Sequence, residues 1–196
     1  MPDSHSVENF NRIADRYDRH WGQISCRRAD ADVLAAADRR PVRVLDVGCG
    51  TGRLLAAAAR RWPDAELIGV DPAAAMLRVA RAKLPRASFA VAAAEQLPCP
   101  SGSVDLVLST TAFGHWRDQA AGLAEIARVL TPGGLLVLAE HTPPPRWLRR
   151  AAAVLGDLPQ HRDEPEMRAM LTRAALRVRS AARVSGGLLM LTATPA

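Results

Sequence analysis

The chain has 196 residues, 48% of them apolar and 23% charged, with a net charge of +6 at pH 7; this is enough for one domain with a substantial core and too little for two comfortable ones. No apolar run approaches the roughly 20 residues of a membrane span, and the N-terminal MPDSHSVENFNR lacks a basic-then-apolar leader, so a cytoplasmic location is expected. The charge is uneven, with 17 Lys and Arg against 16 Asp and Glu over residues 1–140 and 9 against 4 over 141–196; only Lys83 among the bases is not arginine, and RNA-motif or finger spacings are absent, which argues against a nucleic-acid partner.

Taken in chain order, VENFNRIADRYDRHW (7–21) is predicted as a helix with a narrow apolar stripe of Phe10, Ile13, Ala14 and Tyr17. CRRADADVLAAADRR (26–40) is predicted as a second helix. Strand-like runs then alternate with helical stretches: VRVLDV (42–47), TGRLLAAAARRW, AELIGV (65–70), PAAAMLRVARAKL, ASFAV (87–91), VDLVLS (104–109), DQAAGLAEIARVL and GLLVLAE (134–140). PPPRWLRRAAAVLG and EPEMRAMLTRAAL read as further helices, and LRVRSAARV and GLLMLTAT as two final strands separated by Gly186-Gly187 at hairpin distance. The expected fold is α/β, Rossmann-like and doubly wound: a mostly parallel seven-stranded sheet with an antiparallel last strand and helices on both faces. A single domain over 1–196 is expected, with an N-terminal lid and helices (1–40), a core (41–140) and C-terminal helices with the last two strands (141–196). Cys26, Cys49 and Cys99 are odd in number and fit neither a disulfide framework nor a metal site, so they read as reduced thiols.

The stretch VLDVGCGTGRL (44–54) lies where the first strand hands over to a helix, and ligands of open α/β sheets bind at such turns. Glycines there admit positive φ and let main-chain N–H groups approach a ligand. The spacing Gly48, Gly50, Gly52 is not the dinucleotide pattern, since Arg53 stands where its third glycine belongs. Asp46 just before the turn is unfavourable beside a pyrophosphate and useful beside an ammonium group. A second acid, Asp71, closes the next strand, and the bland alternative for both is a helix cap.

Asp46 to Gly52, D-x-G-C-G-T-G, resembles motif I of the class I S-adenosylmethionine-dependent methyltransferases. IGVDPAAAML is similar to the family's second motif, EIARVLTPGGLLVL to its helix-turn-strand before the fifth strand, and FNRIADRYD to the lid helix of its ubiquinone/menaquinone-biosynthesis-like branch. The resemblance implies S-adenosyl-L-methionine as cofactor, S-adenosyl-L-homocysteine as product and a small-molecule acceptor. It further implies cofactor contacts at Tyr17, Asp46, Gly48, Cys49, Gly50, Gly52, Asp71, Pro72, Met76, Ala94, Glu95 and Thr110, with Asp71 gripping both ribose hydroxyls. Ala93 stands where the branch often has an acid for the adenine amine. Methyl transfer chiefly requires alignment and exclusion of water; if the acceptor is a hydroxyl, a base helps, and His115 and His141 lie at the carboxyl edge where one must stand. Two alternatives remain open: a protein of the same fold that binds the cofactor without methylating, and an NAD(P)-dependent oxidoreductase.

Overall fold

The computed structural model describes residues 4–19, 23–38, 40–143 and 160–196. Its strands are β1 (Arg43–Val47), β2 (Glu66–Asp71), β3 (Ser88–Val91), β4 (Val104–Thr110), β5 (Leu130–Glu140), β6 (Leu176–Arg183) and β7 (Leu189–Pro195), joined in one sheet of order β3-β2-β1-β4-β5-β7-β6. The first five pair in parallel, while β7 runs antiparallel to both β5 and β6. Described helices are α1 (Ser4–Ile13), α2 (Gln23–Ala35), α3 (Arg53–Arg61), α4 (Ala74–Lys83), α5 (Gln119–Val129) and α6 (Glu164–Arg173).

The two sides of the sheet follow from strand periodicity, because alternate residues point to opposite faces. Leu45, Val47, Val107, Leu136 and Leu138 face one side, where Leu123, Ile126 and Val129 of α5 and Met167 and Leu171 of α6 cover them. Val44, Leu106, Leu108, Leu135 and Val137 face the other, beneath Val33 and Leu34 of α2, Leu54, Leu55 and Ala58 of α3, and Leu77 of α4. Helix α5 starts where Asp118 accepts from the N–H groups of Ala120 and Ala121, and α6 opens with a capping box between Asp163 and Glu166.

The winding direction reverses between β1 and β4, so their carboxyl ends bound a crevice with the loops after β1, β2 and β4 around it.

Two expectations change, and a third falls outside the described residues. The predicted 7–21 helix ends at Ile13 and continues as a 3-10 turn over Ala14–Arg19. The fifth strand starts at Leu130 rather than 134: Leu130 pairs with Val104 and Leu135 with Leu106, and Thr131-Pro132-Gly133-Gly134 form a bulge between the two pairs. The helix predicted for PPPRWLRRAAAVLG falls almost wholly outside the described residues, as do Trp21 and Trp147.

Candidate active site

The loop after β1 begins pinned to β2, with the N–H groups of Gly48 and Cys49 both donating to the Val70 carbonyl at 2.9 and 3.0 Å. Gly48, Gly50 and Gly52 have φ of +75°, +53° and +74°, a region that penalises residues with a Cβ. Their surroundings differ. A Cβ on Gly48 would sit 2.3 Å from the Ala112 Cβ and one on Gly52 3.1 Å from the Ala80 Cβ, whereas one on Gly50 would meet only Tyr17 Cε1, at 4.0 Å. Gly48 and Gly52 therefore allow tight packing, and Gly50 keeps a gap open between loop and lid.

Asp71 ends β2 and fixes this geometry: its Oδ2 accepts from Gly50 N at 2.9 Å and its Oδ1 from Ala73 N at 2.8 Å. Burial raises its pKa despite those two bonds. Asp46 is 2% exposed, and burial pushes its carboxyl up to about 8, with Arg53 opposing and Asp30 and Asp71 adding to the rise. Arg53 pairs with Asp30 of α2. The residue that breaks the dinucleotide pattern thus serves an ion pair beneath the loop.

These groups border a cavity with about 1010 Å³ of empty space, open mouth included, a size suited to a nucleoside-like ligand. Tyr17, Asp46, Gly48, Cys49, Gly50, Asp71, Pro72, Met76, Ala94, Glu95, Thr110 and His115 all line it. Gly52 does not; it caps α3 with its back to Ala80. His141 does not line it either. Glu95 lines the cavity while its Oε1 accepts from Asp118 N at 2.9 Å, tying the loop after β3 to α5. Ala93 lines the cavity without offering a side-chain acceptor. The Thr110 hydroxyl oxygen is buried with no hydrogen-bond partner among the described residues.

The roof is the N-terminal segment. Val7, Phe10, Ile13, Ala14 and Tyr17 pack on Ala73 and Met76 at the start of α4, and polar contacts hold the rim. Asn11 Oδ1 accepts from Ala75 N at 2.9 Å, Asp15 pairs with Arg78 at 2.6 Å, and Asp18 accepts from the Thr51 hydroxyl at 2.6 Å and from Lys83. Lys83 also donates to the Thr51 carbonyl at 3.0 Å. Burial alone would raise the Asp18 pKa, but the bonds from Lys83 and Thr51 outweigh it and hold the carboxyl below its ordinary value.

Sequence reasoning passed over Arg53 and Arg117, which line the cavity, and over Glu140 and His161 behind it. Glu140 carried a usable signal, an acid ending an apolar strand as Asp71 does. His161 carried none, because the main-chain bond from Gln160 N to the Gly114 carbonyl at 2.7 Å brings it there.

A family model described as a methyltransferase domain matches residues 44–134. An uncharacterized methyltransferase of Mycobacterium tuberculosis is 42% identical over 126 residues, covering 63% of this chain and 49% of that protein. A demethylmenaquinone methyltransferase of Thermus thermophilus is 37% identical over 147 residues, covering 70% and 66%. The chain thus spans about half the length of the mycobacterial relatives it matches. Among solved structures, a SAM-dependent methyltransferase from Aquifex aeolicus superposes with a TM-score of 0.76 at 19% identity, over 95% of this chain and 98% of that one.

Proposed function

The chain belongs to the class I S-adenosylmethionine-dependent methyltransferases, and from that premise we propose that the cavity binds S-adenosyl-L-methionine and that the protein methylates a small, flat acceptor. The observation that carries this reading is the pair of buried carboxylates, Asp46 and Asp71, at the ends of adjacent strands around a loop whose middle glycine leaves a gap. The residues present fit the cofactor. Asp46 offers negative charge to its cationic end, Asp71 has lone pairs left for two ribose hydroxyls, Met76 and Ala94 offer apolar walls, and the Thr110 hydroxyl has an unused acceptor. When bound, S-adenosyl-L-methionine supplies an electrophilic methyl group that leaves sulfur as an acceptor atom attacks in line. The chain's own contribution is to align, to seal the cavity with Phe10 and Tyr17, and to keep water out. That two relatives are named demethylmenaquinone methyltransferases supports a flat ring as acceptor. A second reading, cofactor binding without transfer, is favoured only by Ala93, and turnover of methyl-labelled cofactor in cell extract separates it.

Calorimetry tests the site. S-adenosyl-L-homocysteine is expected to bind and NADH not to. Gly50→Val should abolish binding while circular dichroism still shows the native fold, since the added side chain enters open space and its cost is confined to the positive φ, which lowers stability without a clash. Gly48→Ala should instead lower stability by about 1–3 kcal/mol, because it adds a clash to an unfavourable φ. Binding retained by Gly50→Val would remove this loop from the site.

A further inference from the structure

One cluster of titratable groups lies mostly outside the cavity lining, with only His115 reaching it. Glu140 closes β5 at 1% exposure; its Oε2 accepts from Gly114 N at 3.0 Å and its Oε1 from His141 N at 2.7 Å. His161 Nδ1 lies 3.7 Å from the same Oε1 and, though buried, has no hydrogen-bond partner among the described residues. The His141 and His161 rings stand 5.8 Å apart. His115 lines the cavity and meets the edge of Phe10 of the roof at 5.3 Å between centroids. The segment carrying His161 is fixed rather than draped: Gln119 Nε2 donates to the carbonyls of Phe113 and Gln160 at 3.0 and 2.8 Å, and Arg162 donates to Gln119 Oε1 at 2.8 Å.

We propose that Glu140 and His161 form, with His141 and the cavity-lining His115, a proton-accepting cluster that serves an acceptor bearing an acidic hydroxyl, a phenol or an enol; this rests on the methyl-transfer reading of the cavity. A hydroxyl oxygen is a poor nucleophile until its proton leaves, whereas a neutral amine already carries a free electron pair. The acceptor O–H bond breaks with its proton passing to an imidazole nitrogen of His115. The oxygen's electron pair forms the bond to the methyl carbon as the carbon–sulfur bond breaks, and the positive charge lost at sulfur reappears as imidazolium. Glu140 and His161 do not touch the acceptor. They are positioning residues, whose buried carboxylate favours that imidazolium. Phe10 beside His115, and Trp116 on the same wall, suit a flat ring.

The charge state of the cluster is suited to this task. Burial holds the three imidazoles below their ordinary pKa, with neighbouring histidines adding to the effect at His115 and His161, so they are neutral bases at pH 7. Burial also raises Glu140 to about 7 against the N–H groups of Gly114, His141 and Phe113. The other charges nearby are engaged: Arg162 on Gln119 and Gln160, Arg183 on Thr142 and the Gly187 carbonyl, and Asp163 in the cap of α6, while Arg117 lines the cavity.

Imidazole NMR titration of the ligand-free protein tests the pairing, with calorimetry of S-adenosyl-L-homocysteine on the same samples. In the unmutated protein, His161 and the Glu140 carboxyl should report one shared proton uptake near neutral pH. Glu140→Gln should move the His161 midpoint by about half a pH unit or more, and His161→Asn should move that of Glu140, with affinity for S-adenosyl-L-homocysteine kept within about twofold. With S-adenosyl-L-homocysteine bound, 2-naphthol should shift the His115 signals and 2-methoxynaphthalene, which has no proton to give, should not. An unchanged His161 midpoint in Glu140→Gln overturns the pairing, and equal responses to the two naphthalenes overturn the hydroxyl acceptor. Loss of S-adenosyl-L-homocysteine binding by the unmutated protein would instead sink the methyl-transfer reading.

Discussion

Asp46 places a proton equilibrium at the floor of the cavity. Its carboxyl titrates near 8 in the folded chain but near 4 when unfolded, so between those values the folded state holds a proton that the unfolded state has lost. The ligand-free protein therefore loses stability from this group as pH rises from about 4 to about 8. Binding a cation runs the other way, because it favours the ionised carboxylate and expels the proton. Affinity for S-adenosyl-L-methionine should rise by up to about tenfold per pH unit below 8 and level off above it, and Asp46→Asn should flatten the dependence. Calorimetry between pH 6 and 9 checks both; an affinity profile identical in the two proteins would mean that Asp46 does not meet the cationic end. The pair Asp46 and Asp71 was legible because each acid stands at or next to the end of an apolar strand, beside a loop with glycine at every second position. His161 was not, since its place depends on Gln119 and Gly114, more than 40 residues upstream.

At the scale of elements, the strands were legible in the sequence, and the exceptions show where tertiary contacts overrule local signals. Thr131-Pro132-Gly133-Gly134 has turn composition, yet pairing with β4 draws the start of β5 back to Leu130. Nothing in Ile13-Ala14 marks a helix end. The break there turns Tyr17 over the cavity and Asp18 onto Thr51 and Lys83. A ten-residue helix such as α1 is marginal without tertiary support, so the stability of this roof depends on its small apolar patch and its rim contacts. Hydrogen exchange should show protection in residues 4–19 rising when S-adenosyl-L-homocysteine binds. Asp18→Ala should speed exchange there without the ligand and shrink the gain with it. Equal protection with and without the ligand would make this segment a fixed wall rather than a closing one.

For the molecule as a whole, the sheet supports the site by burying its central strands on both faces. Leu45 is fully buried in β1, between β2 and β4, so Leu45→Ala should cost about 2–5 kcal/mol. Urea unfolding followed by circular dichroism measures this; a cost below about 0.5 kcal/mol would mean that the loop after β1 does not depend on this packing. Lys83, which joins Asp18 to Thr51, is the only lysine among 26 basic residues, so the contact that closes the cavity holds the chain's single side-chain primary amine. Among the side chains, acylating reagents will form a stable amide only at this latch, so amide formation at Lys83 reports how often the roof opens.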